Sequence, residues 1–171
     1  MTQDVPPLKM IDPNSPAESG HEVRLAALGL VLPTPAAPVA AYVPTVIAGG
    51  LMHVSGQLPF DKGNVMTGRL GEDRDIDYGR TAARACGVMI LAQIRAALGS
   101  LDRVERVVKL GVFVNSDSRF TDQPKVADGA SILMVDVFGE AGRHARAAVG
   151  VPTLPLGAAV EVDAIVALRP A

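Results

Sequence analysis

Apolar positions recur along the chain with two different periods. Between Asp75 and Leu98, the residues Ala82, Ala83, Cys86, Gly87, Ile90 and Ile94 return every three or four positions, which is the spacing of one helix face. Asp75 and Asp77 stand at the positive end of that helix and Gly99 at the position where a left-handed residue stops one. Its stripe is made of small residues, so the helix can lie close to a sheet. A second helix is predicted from Gln123 to about Phe138. By contrast VERVVKLGVFVNS (104–116) is valine-rich and alternating, the pattern of a strand. VIAGGLMHVSGQLP (46–59) reads as two strands around Gly49-Gly50. RAAVGV (146–151) and GAAVEVDAIVAL (157–168) read as two more, separated by Pro152-Thr153-Leu154-Pro155.

Elsewhere the periodicity fails. Residues 1–14 hold three prolines and no apolar repeat, and are expected to form a flexible arm before a single domain over 15–171. Ser15-Pro16-Ala17-Glu18 combines a capping serine, a proline at the first helical position and a glutamate three residues after the cap. A helix over 15–31, ending near Leu30 and weakened by Gly20, is the expectation. LPTPAAPVAAYVP (32–44) has too many prolines for a helix and reads as an extended connector. DKGNVMTGRLGEDR (61–74), with its turn glycines and charges, reads as an exposed loop. The order is strands, helix, strand, helix, strands. The simplest layering that buries both helical stripes places two helices on one face of a mixed sheet, an α+β fold. The other face is left bare, which is a reason to expect oligomerisation.

Composition narrows the class. The 171 residues are 49% apolar and 20% charged, enough to build a core without staples, and the lone Cys86 allows no intrachain disulfide. A reducing, cytoplasmic setting fits. Neither a secretory leader nor a continuous apolar membrane span is read in the chain. Sixteen Lys and Arg against eighteen Asp and Glu give a net charge of −2, with no basic run and no Trp, so no nucleic-acid footprint is expected.

The titratable residues offer few constellations. Arg146 stands in HARAAVGV among small and apolar neighbours that cannot neutralise it, a setting suited to gripping a carboxylate bidentately. Surface pairing with a nearby acid is the bland alternative. Glu161 and Asp163 alternate with valines and share one side of the last strand, about 7 Å apart. Repulsion or partial burial there can raise one pKa toward the range useful for proton transfer, although an ordinary acidic strand face has the same pattern. His21, His53 and His144 lack the spacing of a metal site, and Cys86 sits where a buried, inert thiol is expected. Ser55 has no nucleophile elbow around it, and the glycines form neither dinucleotide nor P-loop pattern.

Ser55-Gly56-Gln57-Leu58-Pro59, followed far downstream by Ala145-Arg146, Leu154-Pro155 and Val160-Glu161-Val162, resembles the RidA/YjgF family of imine/enamine deaminases, formerly called L-PSP endoribonucleases, in order and separation. The likeness covers about residues 40–168 and takes in GVMILAQIRAALGSLDRV (87–104). It implies a chorismate-mutase-like sheet with two helices, assembled as a homotrimer with its clefts between subunits. It implies hydrolysis of imines and enamines released by pyridoxal-phosphate enzymes, such as threonine or serine dehydratase, to 2-oxo acids and ammonia without a cofactor. In this likeness Arg146 matches the carboxylate-binding arginine, Glu161 the water-positioning glutamate, Tyr42 the cleft tyrosine and Ser55 the strand serine. Ala147 and Ala148 stand where well-known members have Ser and Cys, and the N-terminal extension marks a longer subgroup. The loop from Gly139 to His144 is expected to reshape the cleft, with His144 as an added titrating group. Two other readings are a non-catalytic module holding a small carboxylate in the same cleft, and a ribonuclease, which the charge disfavours.

Overall fold

The computed structural model of the chain describes residues 20–35 and 41–170; the expected arm at 1–14 and the Ser15-Pro16-Ala17-Glu18 cap lie outside them. Three helices, α1 (His21–Ala27), α2 (Ile76–Leu98) and α3 (Gln123–Phe138), accompany seven strands. These are β1 (Thr45–Ala48), β2 (Leu51–Gln57), β3 (Phe60–Asp61), β4 (Asn64–Val65), β5 (Val104–Asn115), β6 (Ala145–Val151) and β7 (Val160–Leu168). The main sheet has the order β1-β2-β7-β5-β6 and is antiparallel except for the β5–β6 pair. The helix α3 is the crossover that parallel pair requires. The expected arrangement of two helices on one face of a mixed sheet is what the chain adopts.

The caps act as the sequence suggests. Asp75 Oδ1 accepts the Tyr78 N–H at 2.8 Å, and Gly99 ends α2 in the left-handed region at φ 80°. On the sheet, Met52, Val54, Leu110, Val112, Val114, Val160, Val162 and Val166 point into the layer beneath the helices and are fully or almost fully buried. From α2 the stripe of Ala82, Ala83, Cys86, Ile90 and Ile94 meets them, and Cys86 Sγ donates to Val160 O at 3.5 Å. Cys86 is thus the buried thiol expected, its pKa pushed well up by burial and by the charge of Glu161. Length and hydropathy alone would let α2 cross a membrane, but its apolar side is spent on this core.

Two local expectations need correction. The first helix ends at Ala27, short of Leu30; among the described residues it spans His21–Ala27, with Gly20, whose ψ of 165° is extended, at its N-cap. Gly20 lies flat against Asp102, leaving no room for a Cβ. α1 docks through His21 Nε2 on Val104 O at 3.2 Å, the His21 ring edge-on to Phe138 at 4.8 Å, and Glu22 accepting the Leu101 N–H at 2.9 Å. The segment 61–74 is not a plain exposed loop. It contains all but the first residue of a small hairpin, β3–β4, turning through Lys62 and Gly63 at positive φ. It also sends Leu70 fully into the core, where Leu70 and the end of β5 exchange backbone bonds (Leu70 N to Asn115 O and Asp117 N to Leu70 O, both 2.9 Å).

Candidate functional site

Strand register decides which candidate side chains meet. Directly paired residues share a face of the sheet. Arg146 pairs with Leu110 and Ala148 with Val112, both core residues, so Arg146 stands on the helix-covered face of the edge strand β6. Glu161 pairs with Phe113, Phe113 with Val149, and Asp163 with Gly111, so the two carboxylates stand on the uncovered face. Within one chain Arg146 and Glu161 therefore lie on opposite faces with β5 between their strands.

Arg146 is not the unneutralised cation that its strand neighbours suggest. Its Nη1 donates to Asp128 Oδ1 at 2.9 Å and to Ser131 Oγ at 3.0 Å, and Nη2 donates to Pro124 O at 3.2 Å. All three acceptors come from α3, which covers β6. A guanidinium has five N–H donors. The two left without a partner among the described residues are the Nε–H and one Nη2–H, donors that remain available to a carboxylate. α3 thus fixes one edge of the group and leaves the other for a ligand.

His144 joins the same cluster. Its Nδ1 lies 2.6 Å from Gly142 O, an acceptor only, so Nδ1 carries the proton. Its Nε2 is then the acceptor for the Ser131 hydroxyl at 3.0 Å. Burial holds the His144 pKa below its usual value, and the Arg146 charge adds to this against the opposing Gly142 bond.

On the uncovered face the carboxylates of β7 splay apart over glycines of the flanking strands. Glu161 lies over Gly56 in the β-bulge of β2, where a Cβ would collide with its Oε1. Asp163 lies over Gly111, whose N–H donates to Asp163 Oδ1 at 3.0 Å. Glu161 has no hydrogen-bond partner among the described residues, and its pKa is raised, first by burial and then by the charge of Asp163. Ser55 shares the bulge, and its N–H donates to Pro44 O at 2.9 Å, which ties the Tyr42 segment to it. Tyr42 is 55% exposed.

The structure thus brings together Arg146 with His144, and Glu161 with Asp163 and Ser55, but does not bring the two groups together. Asp128 and Ser131 were missed from sequence. They read as ordinary polar positions of a helix, and only the packing of α3 on β6 aims them at Arg146. The concavities of about 230 to 450 Å³ among the described residues are lined by neither Arg146 nor Glu161. No cluster of three or more His, Cys, Asp or Glu that could hold a metal ion occurs among the described residues.

Comparison with known proteins agrees with this architecture. Residues 22–168 match the family model described as "YjgF/chorismate mutase-like, putative endoribonuclease". Protein TCP17 of Trypanosoma cruzi is 58% identical over 148 residues, covering 85% of this chain and 92% of that protein. The crystal structure of an Agrobacterium tumefaciens protein is 49% identical with a TM-score of 0.81, covering 87% of this chain and 92% of the other. One from Shewanella oneidensis, described as a "putative endoribonuclease", is 36% identical with a TM-score of 0.84, covering 87% and 99%. With the matching sheet order, helix placement and strand motifs, this chain belongs to the YjgF/chorismate-mutase-like family.

Proposed function

We propose that the protein hydrolyses reactive imines and enamines to 2-oxo acids and ammonia, in clefts between the subunits of a homotrimer. The observation that carries this reading is Glu161, a half-buried carboxyl with raised pKa, without a hydrogen-bond partner among the described residues and on a sheet face that none of the described helices covers. Such a group can take a proton from an attacking water and return it to the departing nitrogen. The free fork of Arg146 suits the carboxylate of a 2-imino acid. Because the two groups face opposite ways in one chain, a shared substrate calls for Arg146 of one copy and Glu161 of another. The exposed apolar side chains Val46 and Val149 on the uncovered face suit the burial such an assembly would bring.

The chemistry needs no further group. Water adds to the C=N carbon as one of its protons passes to Glu161 and from there to the nitrogen; the hydroxyl proton of the tetrahedral adduct then follows the same route through Glu161 as C=O forms, the C–N bond breaks and ammonia leaves. Anchoring the carboxylate places that carbon against the water, which supplies the larger part of the acceleration. The acidic uncovered face, with Glu161 and Asp163 together, repels a phosphate backbone and so favours a small-molecule substrate over RNA.

The test is release of 2-oxo acid from imine generated in situ by a dehydratase, with semicarbazide as the competing trap. Glu161→Gln is expected to lower kcat about 100-fold or more, and Arg146→Ala to raise KM about tenfold or more. A folded protein that accelerates release from neither small nor bulky imines would overturn the proposal.

A further inference from the structure

The cluster around Arg146 contains a proton-sensitive part that the family likeness does not assign. We propose that Ser131 and His144 are positioning residues, a relay that holds the Arg146 fork toward the substrate carboxylate while His144 is neutral and releases it when His144 is protonated. This rests on the proposed function for its substrate, but not for its geometry.

Each bond in the relay has a set direction. Gly142 O takes the Nδ1 proton of His144, so Nε2 must accept; the Ser131 hydroxyl donates to it and offers its lone pairs to Arg146 Nη1. A proton on Nε2 reverses the first step. Ser131 Oγ then faces two donors, its own hydrogen loses its acceptor, and an imidazolium stands one hydroxyl away from a guanidinium. The two lone pairs of Ser131 must then serve two cations, and the repulsion between them weakens the bond that fixed the Nη1 edge of Arg146. Asp128 still accepts from the same Nη1, at 2.9 Å. With 48% of its side chain exposed it is a weak anchor, and Pro124 O still accepts from Nη2 at 3.2 Å, so what is lost is the Ser131 share of the hold on the guanidinium.

Other charged groups surround the relay. From the turn between α3 and β6, Glu140 pairs with Arg143 at 3.0 Å, and Arg106 of β5 donates to Arg143 O at 3.0 Å. Lys109 of β5 stands opposite Ala145, and Arg24 of α1 lies against Gly139. The cations outnumber the acids, so the neighbourhood opposes a second positive charge on His144, in line with its lowered pKa. Acidification below the usual histidine range is therefore what opens the relay.

Two measurements test this. In the imine assay from pH 5 to 8, wild-type KM is expected to rise about tenfold on the acid side with a smaller change in kcat. Ser131→Ala is expected to show the raised KM at every pH, Ser131→Thr to restore it, and His144→Gln, which keeps an acceptor but cannot titrate, to flatten the profile. Separately, the Arg146 Nε–H resonance of the free protein, assigned by its loss in Arg146→Lys, is expected to shift and exchange faster as His144 titrates, and not to do so in His144→Gln. If no imine is turned over, the functional reading fails while the resonance still decides the relay. A resonance insensitive to pH, or a wild-type KM profile unchanged by Ser131→Ala, would overturn the relay.

Discussion

At the scale of single residues, glycines make the room in which the carboxylates sit. Gly56 and Gly111 would each meet a β7 carboxyl if they carried a Cβ. Gly56→Ala is therefore expected to push the Glu161 side chain off its seat. As that side chain is flexible, the fold should survive, with thermal unfolding changed by about 1 kcal/mol or less while kcat falls along with that of Glu161→Gln. Gly56 and Glu161 were both visible in sequence, the one as part of SGQLP and the other as an acid in a valine strand. Their contact was not, because it depends on a bulge that shifts β2 against β7 between Val54 and Gln57. The case of Arg146 runs the other way. Its apolar neighbours along the strand suggested a bare cation, whereas the groups that neutralise it come from another element.

Among the elements, α2 and α3 meet at a close junction through glycines. A Cβ on Gly129 would collide with the carbonyl oxygen of Arg80, and one on Gly87 would lie 2.9 Å from Leu133. At Gly129 backbone approaches backbone, so neither partner can give way there. Gly129→Ala is expected to cost at least about 2 kcal/mol in chemical denaturation. It should also loosen Arg146, because Asp128 and Ser131 flank it on α3. The boundaries of α2 and α3 were legible from the 3.6-residue period, from the Asp75 cap and from Gly99. The boundaries of α1 were not. Its docking is fixed by contacts with Asp102, Val104 and Phe138, far off in sequence.

For the whole molecule, stability should respond to pH through three groups. Burial lowers the pKa of His21 and of His144 below 6.5, so the unfolded chain takes up those protons first as the solution is acidified. Their contribution is fully present above pH 6.5 and is lost as pH falls through the lowered values. Glu161, raised above 4.5, has the opposite sign, its contribution being present below 4.5 and lost as pH rises through the raised value. Denaturant titrations from pH 4 to 8 are expected to give stability that falls on acidification below 6.5, less steeply in His21→Phe. The uncovered sheet face belongs to this scale too. Light scattering is expected to report three copies of the 17.7 kDa chain, and Val149→Asp to reduce that mass to one. A wild-type protein with the mass of one chain would leave Arg146 and Glu161 unable to share a substrate.

The sequence by itself determined the local and periodic features: two long helices, the five strands of the main sheet, the glycine turns, the buried Cys86 and the family motifs. Each is written in residues within a few positions of one another, where backbone preference and side-chain period act directly. The tertiary structure decided what depends on register and layering. Pairing Arg146 with Leu110 and Glu161 with Phe113 sends the two candidate groups to opposite faces, since a shift of one residue reverses the face of every side chain in a strand. The packing of α3 over β6 gave Arg146 its partners Asp128 and Ser131 and gave Ser131 its histidine. These contacts join residues 13 to 18 positions apart across two elements, and no local pattern encodes such a meeting.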